Sequence, residues 1–178
     1  MNESRPAMKI ALVSVLTAVT VVFTLLVRVP TPIKGYISLC DVVIVFSAYL
    51  FGPWTALLSG GLGTGIADII GGYAQWAPLS FVIHALQGLL IALIAHRKTE
   101  EDGTADTASL GAMIIGGIIG MIVMAGGYYV AGGILYGFQA ALVEIPLNLM
   151  QSGVGVVLGI AVAKSVSKAY PPVRNLYW

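Results

Sequence analysis

The chain has few charged residues, a single cysteine and no nucleotide-binding loop. Of its 178 residues, 10% are charged, whereas an average soluble domain carries about 25%. Nine Lys and Arg against eight Asp and Glu leave no basic surface, so we expect no nucleic-acid partner. The lone Cys40 excludes an intrachain disulfide and a thiolate metal cluster, and we predict no metal site. No Gly-x-x-x-x-Gly-Lys-Ser/Thr loop for ATP occurs.

Apolar residues dominate instead. They form 58% of the chain, with a mean hydropathy of +0.93, more than one soluble core can bury. A membrane-spanning helix needs roughly 20 mostly apolar residues. The runs between Pro, Gly and charged residues predict an all-α integral membrane protein, one domain with six transmembrane helices at residues 10–27, 39–51, 54–70, 79–95, 110–130 and 138–163.

Two of these runs carry further expectations. The first lacks a small-residue cleavage site, so we expect a retained helix and not a signal peptide. The second is short for a full span, so it is expected to tilt or to lie partly inside the bundle.

The basic residues are distributed unevenly across the predicted membrane. Only Arg28 and Lys34 fall on one side, and the other seven fall on the side that holds both termini and the loop at 96–108. Because cytoplasmic loops are enriched in Lys and Arg, we predict cytoplasmic N and C termini and a cytoplasmic loop at 96–108. Small residues repeat inside the spans in three Gly-x-x-x-Gly motifs, which predict close helix packing: Gly61 and Gly65, Gly116 and Gly120, and Gly155 and Gly159.

Polar side chains recur inside two spans, where a charged group costs roughly 2.5 kcal/mol or more at the helix centre. In the last span Glu144, Asn148 and Gln151 share one helix face, and in the fourth span His84 and Gln87 do. At 1.5 Å per residue the two faces lie at matched depths below the outer ends of their helices. They therefore predict one cavity that opens to the outside.

Two further features support that cavity. Tyr128 and Tyr129 lie near the outer end of the fifth span, at a similar depth. Pro146 removes a backbone donor and is expected to free the carbonyl of Leu142, a defect that a hydrated cavity can satisfy.

Structural alternatives remain for several of these groups. A buried pair of His84 and Glu144 could serve helix packing alone. Asp41 could cap the second helix, and Asp68 could tie down the outer loop. The first three helices are apolar and glycine-rich, so we expect them to serve packing and docking, and the last three to hold the site.

The order of several segments resembles the S components of energy-coupling factor (ECF) vitamin transporters, which are small substrate-binding membrane subunits. The resemblance spans about residues 8 to 168 and rests on ISLCD at 37–41, LFGP at 50–53, residues 60–68, GYAQWAP at 72–78 and EIPLN at 144–148, which looks like a Pro-x-Asn element of the last helix. It implies six helices in a bacterial plasma membrane, with a vitamin bound near the outside. The predicted substrate-binding residues are His84, Gln87, Tyr128, Glu144, Asn148 and Gln151.

The resemblance also implies a lid and partners. The loop after the first helix closes over the site in the family, which makes Lys34 and Tyr36 lid candidates. Tyr73 and Trp76 fit either an interfacial aromatic belt or a lid that stacks on a flat ring. Family members dock on a transmembrane coupling subunit driven by two ATPases, so ATP is used by partners and this chain carries no cofactor. The usual Ala-x-x-x-Ala contact is replaced here, and the predicted docking residues are Ala11, Ser14, Val15 and Ala18.

No Lys or Arg lies inside a predicted span, which disfavours a multiply anionic ligand because nothing buried would compensate its charge. Resemblance to the small-ring members favours hydroxymethylpyrimidine or pyridoxine. Pantothenate is the second choice, with Lys34 or His84 meeting its carboxylate, and riboflavin is the third.

Other function classes fit less well. An intramembrane protease would need a nucleophile beside a base, but Ser59 lies far in depth from His84, with Leu57 where a Gly-x-Ser-Gly motif needs glycine. An aspartyl pair of Asp41 and Asp68 would need facing helices. A channel or self-sufficient secondary transporter is the third class, although no inverted repeat is evident. We expect that the chain is not an enzyme.

Overall fold

A computed structural model describes residues 4–96 and 108–178. In this part of the chain there are seven α-helices: α1 (Ser4–Leu26), α2 (Cys40–Phe51), α3 (Pro53–Gly71), α4 (Ala77–Ala95), α5 (Leu110–Tyr136), α6 (Phe138–Ala141) and α7 (Glu144–Ala169). An antiparallel hairpin of β1 (Val29–Pro30) and β2 (Tyr36–Ile37) joins α1 to α2. A 3-10 helix (Pro171–Leu176) follows α7.

Four helical stretches are long and apolar enough to cross a bilayer: Pro6–Leu26, Ala77–Ala95, Leu110–Tyr136 and Phe138–Ala169. Helix α2 has 12 residues, so it is about 18 Å long against a hydrocarbon core of about 30 Å. Apart from Phe46, all its residues are buried, as expected for a short helix inside the bundle. The chain is an all-α, multi-pass membrane protein.

The structure differs from the predicted helix boundaries at both ends of the chain. Helix α1 begins at Ser4 and not at residue 10, and α5 continues to Tyr136, through a Gly-Gly pair that was predicted to be a loop. The missing side chain at Gly133 lets Phe138 pack closely against this part of α5, because a Cβ there would overlap the Phe138 ring. The predicted helix at 138–163 is divided into α6 and α7 by a turn at residues 142–143.

This turn changes the role expected for Pro146. Helix α7 begins at Glu144, so Pro146 lies in the first turn, where backbone N–H groups have no intrahelical acceptor. The carbonyl of Leu142 is not freed, because it accepts a hydrogen bond from the N–H of Ile145 at 3.3 Å. The prediction that Pro146 exposes this carbonyl is wrong.

The glycine motifs lie where helices pack closely, as predicted. A Cβ on Gly61 would lie 2.9 Å from the carbonyl oxygen of Phe81, which joins α3 to α4. The motif in α5 packs against α4 in the same way, and a Cβ on Gly155 of α7 would overlap Asp41 of α2. These contacts bring the polar residues of α2, α4 and α7 together.

Two hydrophobic clusters enclose a polar layer. The larger contains Tyr49, Ile91 and Val173, at the end of the bundle where the 3-10 helix packs. The smaller contains Ile33 and Trp76 and lies beneath the hairpin.

The predicted cytoplasmic loop follows α4. Its residues 97–107 lie outside the described part of the chain. His96, which precedes them, bonds through Nε2 to the carbonyl of Tyr49 at 3.0 Å, and its ring lies 4.8 Å from that of Tyr177.

Candidate functional site

A cavity lies beneath the hairpin. Helices α3, α4, α5 and α7 and the hairpin contribute most of its wall, and α1 and α2 contribute one residue each. Its lining residues are Thr24, Gly35, Tyr36, Ser38, Cys40, Thr64, Asp68, Trp76, Ser80, His84, Met124, Tyr128, Glu144, Asn148 and Gln151.

The structure brings five of the six predicted binding residues to this cavity. Glu144, Asn148 and Gln151 project from successive turns of α7, while His84 and Tyr128 come from α4 and α5. The polar faces of α4 and α7 therefore meet around one space. In the described part of the chain, His84 bonds to other side chains and not to Glu144.

Gln87, the sixth predicted residue, lies behind the wall and not on it. It is fully buried, donates through Nε2 to Asp41, and bonds through Oε1 to Nδ1 of His84 at 2.7 Å. Gln87 presents its amide nitrogen to Asp41 and its oxygen to His84. Because an amide oxygen only accepts hydrogen bonds, Nδ1 of His84 carries a proton.

The other ring nitrogen of His84, Nε2, faces the cavity. Nε2 of His84 lies 3.2 Å from the hydroxyl of Tyr128 and 3.8 Å from Sγ of Cys40. The Tyr128 hydroxyl also lies 2.7 Å from Oγ of Ser80. A polar chain therefore runs from the buried Asp41 through α4 to the wall of the cavity.

Asp41 has a different role from the predicted cap. The residue at the N-cap of α2 is Leu39, and Asp41 has no exposed surface. Its carboxylate accepts hydrogen bonds from Gln87, from Gln151 at 2.5 Å and from Ser152 at 3.3 Å. The capping prediction is wrong, because α4 and α7 supply side-chain donors that satisfy this buried charge.

The hairpin covers the cavity and is held by two hydrogen bonds to residues that are distant in the sequence. Nε1 of Trp76, just before α4, donates to the carbonyl of Lys34 at 2.9 Å. The N–H of Ile33 donates to Oε1 of Glu144 at 3.4 Å. Lys34 has a φ of 57°, and its side chain is exposed and outside the cavity lining. Lys34, one of the predicted lid residues, therefore contributes to the lid through its backbone alone.

A third hydrogen bond joins β2 to α3. The hydroxyl of Tyr36 donates to Oδ1 of Asp68, so Asp68 does tie down an outer segment. Burial, together with the Asp68 carboxylate, raises the pKa of Tyr36, so its phenol stays protonated and donates. Tyr73 packs edge-on against Tyr36 with ring centroids 4.7 Å apart, outside the cavity lining.

Two buried polar atoms at the cavity wall have no hydrogen-bond partner among the described residues: the donor Nδ2 of Asn148 and the acceptor Oδ2 of Asp68. Asn148 and Asp68 are 4% and 3% exposed. Such groups usually find partners in folded proteins, so they mark where a ligand would bind. Among the described residues, no Lys or Arg lines the cavity.

The predicted separation of the helices into three for packing and docking and three for the site is wrong for this cavity. Thr24 of α1, Cys40 of α2, and Thr64 and Asp68 of α3 all line the cavity, although the first three helices were expected to serve packing and docking. These residues carried a usable signal, since each is a polar or polarisable group within an apolar segment.

Tyr129 and the predicted docking residues lie away from the cavity. Tyr129 packs against Phe138 with ring centroids 5.6 Å apart. The docking residues are exposed along one face of α1: Ala11, Ser14, Val15 and Ala18.

Two known proteins have sequences similar to most of this chain. A protein of Pyrococcus woesei, described as an uncharacterized protein in a gap 3' region, is 32% identical over 88% of this chain and 99% of its own length. The thiamine precursor transporter HmpT of Lactococcus lactis is 27% identical over 93% of this chain and 89% of its own.

The fold has a solved counterpart. The S component of a bacterial ECF transporter superposes with a TM-score of 0.63 at 19% identity, covering 90% of this chain and 96% of the other. The family model for the ECF-type riboflavin transporter S component matches residues 6–168. The chain therefore belongs to this family of ECF transporter S components, which are transporter subunits and not enzymes.

Proposed function

We propose that this chain captures a small thiamine precursor, a pyrimidine such as hydroxymethylpyrimidine, and delivers it inward with an ATP-driven ECF module. The module would consist of a transmembrane coupling subunit and two ATPases that use the ATP. The similarity to the thiamine precursor transporter supports this substrate class. Pyridoxine, a ring of similar size with hydroxymethyl groups, is the related choice.

The proposal rests on the two buried atoms of the cavity wall that have no hydrogen-bond partner among the described residues. Nδ2 of Asn148 needs an acceptor, and Oδ2 of Asp68 needs a donor. An aminopyrimidine with a hydroxymethyl group offers both, because its ring nitrogens accept and its amino and hydroxyl groups donate. Glu144 adds a further acceptor at the same wall.

Charge argues against pantothenate. Asp68 and Glu144 line the cavity, while the side chain of Lys34 is exposed outside it. A ligand carboxylate would meet two acidic groups and no Lys or Arg among the described residues of the lining, and burying an unpaired charge is costly. Pantothenate thus keeps only His84 as a partner.

Riboflavin is the second candidate, favoured by the name of the matching family model. It offers several hydroxyl donors to the acidic groups of the cavity. A binding panel separates it from the pyrimidines directly.

The membrane arrangement completes the proposal. The four long apolar stretches together with α2 and α3 would make six spans, with α6 and α7 counted as one. The lysine and arginine distribution favours cytoplasmic termini in the plasma membrane, with the cavity facing outward.

Binding without energy input tests the proposal. The purified chain in detergent should bind hydroxymethylpyrimidine in calorimetry without ATP or partners. Thiamine, pyridoxine, pantothenate and riboflavin form the comparison panel. Uptake in cells should require the coupling module while binding does not. The absence of binding to every pyrimidine in the panel would refute the substrate class, and uptake without the module would favour a self-sufficient carrier.

A further inference from the structure

We propose that a divalent metal ion of the Zn²⁺ type binds at the floor of the cavity through Cys40, Asp41 and His84. The ligand atoms of these three residues all lie within 4.8 Å of one another, and all three residues are buried. This inference is independent of which vitamin the cavity takes. It departs from the sequence-based expectation of no metal, because tertiary packing joins a thiol from α2 to an imidazole from α4.

The spacing suits a tetrahedral ion. Sγ of Cys40 lies 3.7 Å from Oδ2 of Asp41 and 3.8 Å from Nε2 of His84. Zinc bonds of about 2.0 Å to nitrogen or oxygen and about 2.3 Å to sulfur separate two tetrahedral ligands by roughly 3.5 Å. The distances from Sγ of Cys40 to the other two ligand atoms are therefore close to those of a tetrahedral zinc site, and the distance between the Asp41 and His84 atoms is at most 4.8 Å.

Nδ1 of His84 already makes the outer hydrogen bond of a metal-ligating imidazole. Such an imidazole typically donates its other N–H to an acceptor that fixes the ring. Nδ1 of His84 has this contact with Oε1 of Gln87 at 2.7 Å, and Gln87 is oriented in turn by its donation to Asp41. Nε2 of His84 lies 3.2 Å from the hydroxyl of Tyr128 and 3.8 Å from the thiol of Cys40, so an ion bound there would displace the Tyr128 contact.

The carboxylate is supported in a similar way. Oδ1 of Asp41 accepts from Gln87 and Ser152, and Oδ2 accepts from Gln151. Carboxylates that ligate metals are usually hydrogen-bonded by such outer groups. The ion would replace the weak thiol contact between Cys40 and Asp41, and the thiol proton would leave to solvent as the thiolate forms.

The charge around the cavity favours a cation. Asp41 is fully buried, its donors Gln87, Gln151 and Ser152 are all neutral, and Asp68 and Glu144 line the space above it. In the described part of the chain, no lysine or arginine lines the cavity to offset these carboxylates. A divalent ion would compensate charge that neutral hydrogen bonds only solvate.

An entry path and a free coordination position are also present. Cys40 and His84 both line the cavity, so an ion arriving from it meets the thiol and the imidazole directly. Three protein ligands with a fourth position open to water or substrate is the usual pattern of an accessible zinc site.

Titration of the purified, full-length chain with Co²⁺ tests this site without any vitamin. Because Cys40 is the sole cysteine of the sequence, a thiolate-to-cobalt charge-transfer band identifies its coordination. We expect one equivalent of Co²⁺ to produce this band, and Zn²⁺ to abolish it by displacement. Cys40→Ser should eliminate the band, and His84→Gln and Asp41→Asn should each weaken Co²⁺ binding at least tenfold. His96→Gln, which removes the other histidine, should leave it unchanged.

Controls keep the outcomes distinct. The titration uses the wild-type protein, so its outcome does not depend on whether a variant folds. A stoichiometric titration that gives no thiolate band overturns the proposal. Variants are first compared with wild type by size-exclusion elution, and the amount of Zn²⁺ that wild-type protein retains after desalting gives a readout that needs no substitution. Wild-type protein that retains no Zn²⁺ would also overturn the proposal. Vitamin binding can fail or succeed independently of both measurements.

Discussion

Tyr36 of the hairpin donates a hydrogen bond to Asp68 of α3, and both residues line the same cavity. The contact joins two segments that are 32 residues apart in the sequence. It closes one edge of the hairpin over the cavity, while Trp76 and Glu144 hold its tip.

Replacing Tyr36 by phenylalanine should loosen this lid. A hydrogen bond to a charged group is worth about 1.5–3 kcal/mol, so we expect the bound vitamin to dissociate roughly tenfold faster, as measured by stopped-flow fluorescence. The ring contact with Tyr73 is retained in this variant. The matched control is Tyr170→Phe at an exposed position, and equal dissociation rates in both variants would show that the contact does not hold the lid.

Replacing Asn148 by alanine should weaken vitamin binding without a large effect on folding. Its Nδ2 has no partner among the described residues, so the loss falls on the ligand contact and is expected to be roughly tenfold in Kd. Calorimetry measures the change, and Asn175→Ala at an exposed position is the control. An unchanged Kd for Asn148→Ala would move the site elsewhere.

Replacing Glu144 by glutamine separates two ligand classes by the sign of the effect. The amide keeps an acceptor for the N–H of Ile33 but removes one negative charge from the cavity. Affinity for a donor-rich pyrimidine should fall roughly tenfold, because hydrogen bonds to charged groups are the stronger ones. If the ligand were instead a carboxylate such as pantothenate, its affinity would rise in this variant. Tighter binding of the ligand that the wild-type protein takes would therefore contradict the proposed substrate class.

Adding a methyl group to Gly155 should destabilise the bundle. A Cβ there would overlap Asp41, and overpacking typically costs about 1–3 kcal/mol. Gly126→Ala is the matched control, because a Cβ on that helical glycine meets no atom within 4 Å and alanine favours the helix by up to about 1 kcal/mol. Apparent unfolding temperature in detergent should fall for Gly155→Ala alone, and equal shifts would refute the packing argument.

Replacing Ala18 by leucine should impair docking to the coupling subunit while leaving vitamin binding unchanged. Ala18 is exposed on α1, where close approach of a partner helix would require a small side chain. Cellular uptake and calorimetry measured together separate the two effects. Ala161→Leu, at an exposed position of α7, is the control, and equal uptake by the two variants would place the docking face elsewhere.

Much of the helical framework was predictable from the sequence. Apolar runs of about 20 residues cannot lie in water, and their backbone groups must bond internally in a bilayer. The same cost made Glu144, Asn148 and Gln151 conspicuous, because polar groups within apolar helices need a partner or a ligand. Their common helix face followed from the helical period alone.

Which residues lie opposite them depended on tertiary packing. Cys40 and Asp41 begin a short buried helix, and no local pattern indicates that Gly155 lets α2 approach α7 closely enough for Gln151 to reach Asp41. The exposed side chain of Lys34 likewise follows from a turn with positive φ and the bond from Trp76, 42 residues away. The spacing of apolar and polar residues along one helix, and the free-energy cost of placing polar groups in a membrane, are local properties. The sequence alone therefore determined the helices and the polar face of α7. The cavity wall, the buried carboxylate and the lid are formed by contacts between distant segments, so only the tertiary structure decided them.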